Sequence, residues 1–238
     1  HFSTFYTWFY RTYKTFAFNS NGPDINTIVG KLRSQEPFFN EFQLDEGQDL
    51  PLEVRCALSY TTNKLVICMD PAQDVNGECS IDVDEIERTK VKLNSYGKKT
   101  ASFKLTTNWR NTKPIFEFSK EIIPELNNQI DLVNYAKESG PKPTLYELNG
   151  DDLIAKKIIQ LIKNEPGRNI GIFDDSLQNL HELNKKLEQA GISTTIYDSY
   201  EHRRRTKTDK QQFLRSMNRV ILSTFISCKG LEFNTVMI

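Results

Sequence analysis

Short apolar runs that stop at an acid or a turn residue, separated by stretches with helical spacing, constrain this chain most. Phe42-Gln43-Leu44 runs into Asp45, and Leu65-Val66-Ile67-Cys68-Met69 runs into Asp70. Asn169 to Phe173, Ser193 to Tyr197, Val220 to Thr224 and Thr235 to Ile238 repeat the theme, and Thr144 to Leu148 reads as one more strand. Helical stretches lie between: Val83 to Asn94, Pro114 to Glu125, a segment capped by Asp151, and Ser176 to Ala190, closed by Gly191. Parallel strands need a helix-length crossover, so this alternation is the pattern of a parallel sheet covered by helices on both faces. The expected fold class is α/β. After Asp151, Leu153, Ile154, Lys157, Ile158, Leu161 and Ile162 are expected to share one face. The aromatic-rich residues 1–17 read as a helix packed on the first domain, and residues 19–40 as loops around a short helix.

Length and composition set outer bounds. The 238 residues suit one large or two modest domains. A polar stretch with Gly77 and Gly97 places the boundary so that residues 1–98 form one domain and 99–238 a second. The 31 basic and 31 acidic residues cancel, which argues against a constitutive nucleic-acid coat and leaves local patches open. The best such patch, His202-Arg203-Arg204-Arg205-Thr206-Lys207, reads equally well as a solvated loop. Cys56, Cys68, Cys79 and Cys228 show no C-x-x-C spacing, so zinc is not expected. Cys68, inside an apolar run, reads as a small core residue in a reducing cytosol, and a cytoplasmic location follows. No apolar run approaches the roughly 18 residues of a membrane span.

Four segments carry candidate chemistry. Asp45-Glu46-Gly47-Gln48-Asp49 puts two acids at the end of a strand, where one can hold the water shell of Mg²⁺ and the other the attacking water. Adjacent acids are also common in solvated turns. Asp70-Pro71-Ala72-Gln73 ends a second strand with an acid and an amide, Leu105 to Thr112 sets Arg110 at a strand-to-helix junction, and Ser223 to Phe233 contains Lys229-Gly230-Leu231-Glu232. Taken singly, Gln73 is a turn residue, Arg110 a surface helix cap and Lys229-Gly230 a turn pair. Hydrolysis of a nucleoside triphosphate needs a metal, a positioned water and a cation near the γ-phosphate, and Asp45, Glu46 and Arg110 are of those types.

In this order the segments resemble the DExQD, GDxxQ, LxxNYR and TxHxxKGLEF motifs of the UvrD/Rep-like DNA helicases of superfamily 1. Ser3-Thr4-Phe5-Tyr6 resembles that family's TFH segment. The resemblance spans nearly the whole chain. It implies two RecA-like parallel-sheet domains of the P-loop NTPase helicase type, the first one incomplete, with ATP and Mg²⁺ as cofactors. By the same resemblance, Asp45 holds Mg²⁺ through water, Glu46 activates the attacking water, Gln73 senses the γ-phosphate and Arg110 reaches it as a finger. Glu232 contacts the ribose beside Gly230, and Thr4, Phe5, Tyr6 and Thr224 contact nucleic acid. ATP lies between the lobes in that family, and its hydrolysis ratchets single-stranded DNA with an expected 3′ to 5′ polarity. The implied partners are single-stranded or 3′-tailed duplex DNA and a repair or nuclease protein, with no membrane.

The chain departs from the family in places. No G-x-x-x-x-G-K-[ST] string occurs, so a partial chain lacking that phosphate loop and the last arginine motif is expected, inactive by itself. Asn76 stands where an aromatic is usual, Ile226 for histidine, Met69 for glycine and Trp109 for tyrosine, and Gln43 is odd in a strand expected to be buried on both faces. Two other classes of function stay open: a non-catalytic helicase-like interaction module, and an ATPase driving a linked nuclease or defence system.

Overall fold

Two compact units, His1–Thr144 and Leu145–Ile238, divide the chain. The computed structural model describes residues 4–19, 22–34, 36–74, 84–122, 134–135, 138–199, 201, 209, 213 and 216–238. The fold is mixed α/β, and its larger strand pairings are parallel. No helix among the described residues is long and apolar enough to cross a membrane.

In the first unit, helix α1 (Phe5–Tyr13) buries Phe9 and stops at Lys14, which turns into the left-handed region. A two-stranded antiparallel ribbon, β1 (Phe18–Asn19) and β2 (Gly22–Pro23), leads to α2 (Ile25–Arg33). Asp24 caps α2 by accepting from the Thr27 N–H at 3.0 Å, as its sequence position favours. Strands β3 (Phe39–Leu44) and β4 (Thr62–Ile67) pair in parallel with Leu44 beside Ile67, and α3 (Leu52–Ala57) forms part of the crossover. Phe9, Ile28, Leu32, Leu44, Val54 and Leu58 form the core.

Arg55 of α3 is fully buried and ties this core to α4 (Glu85–Ser95). Its guanidinium donates to Glu85 at 2.5 Å, Thr89 Oγ1 at 3.2 Å and the Leu50 carbonyl at 3.2 Å. Glu85 also pairs with Arg88. Every polar end of this buried cluster named here has a partner, which is the condition for tolerating charge in a core. Beyond it, β5 (Thr107–Asn108) pairs in parallel with β6 (Asn134–Tyr135), and α5 (Lys113–Ile122) follows β5 without a buried residue.

Two expectations fail here. Gln43 is exposed and donates to Glu41 at 2.7 Å, because β3 has one face on the core and the other outward rather than two buried faces. Cys68 lies just past β4 and is exposed, so it is not a core residue.

In the second unit, β7 (Ile170–Asp174), β8 (Thr194–Tyr197), β9 (Val220–Thr224) and β10 (Thr235–Met237) form an all-parallel sheet in the order β10-β7-β9-β8. Helices α6 (Asp151–Asn164) and α7 (Leu177–Gln189) supply Ile162, Leu180 and Leu187 to a core with Ile170, Ile172, Val220 and Leu222. Ser176 caps α7 by accepting from the Asn179 N–H at 3.3 Å. Arg219 donates to the carbonyls of Glu165, Arg168 and Ile162, which ties the start of β9 to the end of α6.

Three details differ from the sequence reading. Thr144 to Leu148 is not a strand. Gly150, with φ +96°, occupies the N-cap of α6, and Asp151 begins the helix instead of capping it. The core face of α6 is Ala155, Ile158, Ile159 and Ile162, an i, i+3, i+4, i+7 set, while Leu153 and Ile154 stay exposed.

Candidate active site: the acidic strand ends

The parallel register sets the site. Because Leu44 stands beside Ile67, the chain leaves β3 and β4 at the same carboxyl edge, and Asp45-Glu46 and Asp70 emerge together there. The ladder extends one step past the strands: the Cys68 N–H donates to the Leu44 carbonyl and the Gly47 N–H to the Cys68 carbonyl, both at 2.8 Å. Position 47 has no room for a side chain. A Cβ there would lie 2.5 Å from Ile67 Cγ2 and 3.3 Å from the Cys68 carbonyl.

Between them Glu46 adopts φ +53°, ψ +45°, a left-handed conformation that non-glycine residues adopt at a cost of about 1–2 kcal/mol. Asp45 Oδ1 accepts from the Glu46 N–H at 3.0 Å, which helps hold the turn. A single turn of 3₁₀ helix, Gly47–Asp49, follows, and the Asp49 N–H donates to the Glu46 carbonyl at 3.0 Å.

Gln48 is fully buried and joins both strand ends. Its Nε2 donates to Glu46 Oε2 at 2.5 Å, and its Oε1 accepts from the Asp70 N–H at 3.1 Å. From Asp70 the chain makes a second 3₁₀ turn, Pro71–Gln73, in which Gln73 Nε2 donates to Asp70 Oδ2 at 2.6 Å. Glu46, Gln48, Asp70 and Gln73 are therefore one continuous hydrogen-bonded chain. Three of the four residues were singled out by their sequence motifs. Gln48 stands in the same segment as Asp45 and Glu46, and an amide beside the buried Gly47 is the only sequence signal for its part.

Asp45, Glu46 and Asp70 are exposed, and their oxygens are the hard donors Mg²⁺ prefers. Among the described residues no group of three or more His, Cys, Asp or Glu side chains converges as a metal site. A donor set of one or two carboxylates fits Mg²⁺, which keeps most of its waters and shares substrate phosphates.

The remaining candidates fall elsewhere. Arg110 is exposed in the turn between β5 and α5, where Asn108 Oδ1 accepts from the Arg110 and Asn111 N–H groups at 3.0 and 3.1 Å. Thr4 is exposed at the start of α1, whereas Phe5 and Tyr6 are half-buried against the first core, Tyr6 with its ring 4.8 Å from Phe18. In the second unit, Thr224 ends β9, and its carbonyl accepts from the Cys228 N–H at 3.0 Å. Gly230, at φ +86°, closes the turn that begins there. Glu232 lines a cleft of about 340 Å³ with Asn169, Asn218, Arg219 and Phe233. A groove of about 440 Å³ on α3 and α4, lined by Leu52, Glu87, Val91 and Lys92 among others, includes none of the candidate acids. Ser3, Asn76, Cys79 and the basic run 202–207 lie outside the described residues.

No family model matches this chain, and no curated protein matches it.

Proposed function

We propose that these residues are part of an ATP-dependent DNA helicase or translocase of the UvrD/Rep-like kind, with two RecA-like domains. One observation carries the reading: two acidic segments, 25 residues apart at Asp45 and Asp70, reach one edge of a parallel strand pair and are joined there through a buried amide. Carboxyl ends of parallel strands are where open α/β sheets bind ligands.

In this reading Asp45 holds the hydrated Mg²⁺ that accompanies ATP, and the metal supplies charge stabilisation to the phosphate oxygens. Glu46 accepts a proton from, or orients, the attacking water. Gln73 exchanges its bond to Asp70 for one to the γ-phosphate side of the substrate, and Arg110 offers its guanidinium to the charge that develops on the transferred group. Glu232 and Gly230 serve the nucleotide from the KGLEF segment, and Thr4, Phe5, Tyr6 and Thr224 serve single-stranded DNA. The reading requires a phosphate-cradling loop, which these 238 residues do not contain.

The test is phosphate release by the full product of the gene that encodes this segment, with and without single-stranded DNA. DNA-stimulated hydrolysis supports the reading. Absence of hydrolysis from a product that carries a G-x-x-x-x-G-K-[ST] loop overturns it.

A further inference from the structure

We infer that Gln48 is a positioning residue that locks the Glu46 carboxylate to the Asp70–Gln73 turn, so that the acid at the end of β3 and the amide at the end of β4 move as one unit. The geometry is specific. A fully buried primary amide has a donor and an acceptor pointing opposite ways, and here each meets a different strand end: Nε2 the Glu46 carboxylate at 2.5 Å, Oε1 the Asp70 N–H at 3.1 Å. Buried amides are costly unless paired, and no other uncharged side chain of that length offers both functions at one carbon.

Two neighbouring features stiffen the arrangement. The Gly47 N–H to Cys68 carbonyl bond, at 2.8 Å, pins the backbone immediately before Gln48 to the segment that leads into Asp70. The left-handed Glu46 backbone aims its side chain back over the turn, where the Gln48 amide receives it. Gln73 joins the chain through its 2.6 Å bond to Asp70 Oδ2. A ligand that draws Gln73 away from Asp70 therefore acts on the turn whose N–H Gln48 holds, and through Gln48 on the orientation of Glu46.

The consequence for turnover rests on the proposed hydrolytic reading; the coupling itself does not. Three measurements separate them. In ¹⁵N-labelled protein of this sequence, the Gln48 side-chain amide protons should exchange with solvent at least about ten times more slowly than those of exposed Gln43, as buried, bonded amides do. Glu46→Ala should shift the Asp70 amide resonance, and in a Gln48→Met background, which keeps the length of the side chain and removes both of its bonds, that shift should vanish. Exchange as fast as Gln43, measured on the unaltered chain, overturns the coupling even where a variant does not fold. So does an Asp70 shift that persists in the Gln48→Met background. In the full gene product, Gln48→Met should lower kcat by about tenfold or more and change KM for ATP by less than about twofold, the split expected when only the orientation of a reacting group is lost. An unchanged kcat overturns the positioning role in turnover. A parental protein without ATPase activity overturns the hydrolytic reading and leaves the exchange result standing.

Discussion

At the scale of single residues, position 47 admits only glycine for a reason unrelated to turn conformation: the space a side chain would take is filled by Ile67 Cγ2 and the Cys68 carbonyl. Gly47→Ala should destabilise the first unit by about 1–3 kcal/mol, the usual range for overpacking a tight site. Urea denaturation followed by tryptophan fluorescence checks this, and an unchanged midpoint would contradict the contact. The cysteines make a second residue-scale contrast. Cys56 is buried, and burial pushes its thiol up to about 11 from an ordinary 9.0, whereas Cys68 is exposed. At pH 8 a thiol reagent should label Cys68 rapidly and Cys56 only on unfolding. The sign of the pH effect follows. A thiol kept protonated in the folded chain contributes stability that is complete below pH 9.0 and is lost as pH rises towards about 11. Cys56→Ala should flatten that alkaline decline in a series of melts between pH 8 and pH 11.

At the scale of elements, the tie between α3 and α4 tests how charge is carried in this core. Arg55 and Glu85 have fully buried side chains and are paired at 2.5 Å. Glu85→Leu strands the Arg55 guanidinium and should cost about 3–5 kcal/mol in chemical denaturation, whereas Arg55→Ala leaves Glu85 its pair with Arg88 and should cost less. Arg55→Met combined with Glu85→Leu should recover much of that loss, since a packed apolar pair needs no counter-ion. The elements themselves were largely legible. Strands β7, β8, β9 and β10 and helix α7 lie within a residue or two of their expected ends, because Gly191, the Ser176 cap and β-branched runs such as Val220-Ile221 mark them. Less legible was anything set by neighbours in space. The core face of α6 is shifted so that Leu153 and Ile154 are exposed, and a pattern rich in apolar residues cannot say which side finds a partner. Thr144 to Leu148 has strand-like composition but no strand to pair with in the described chain.

At the scale of the whole molecule, the candidate site was legible as a set of residue types and not as a mechanism of assembly. The motifs pointed to Asp45, Glu46 and Gln73, and the parallel register of β3 with β4 brings the first two to one edge with Asp70, to which Gln73 bonds. What joins them, Gln48, could not be read from the chain, because a glutamine is usually exposed and only its burial between two strand ends makes it a bridge. Arg110 lies in the turn between β5 and α5, at the junction expected of it, and Glu232 lies between the turn closed by Gly230 and β10; their part in hydrolysis is a proposal resting on the resemblance of their motifs. The exposed carboxylates and a buried amide together describe an edge suited to a hydrated divalent cation and a polar substrate.

Glu46 is proposed to serve the attacking water at this edge. Nucleotide binding and phosphate release, compared between the full gene product and its Glu46→Gln variant in the presence of single-stranded DNA, test it most directly. Retained Mg²⁺-ATP binding with turnover reduced by about 10²–10⁴-fold is the predicted result, since the amide keeps the shape and removes the base. Turnover at the parental rate would contradict the account.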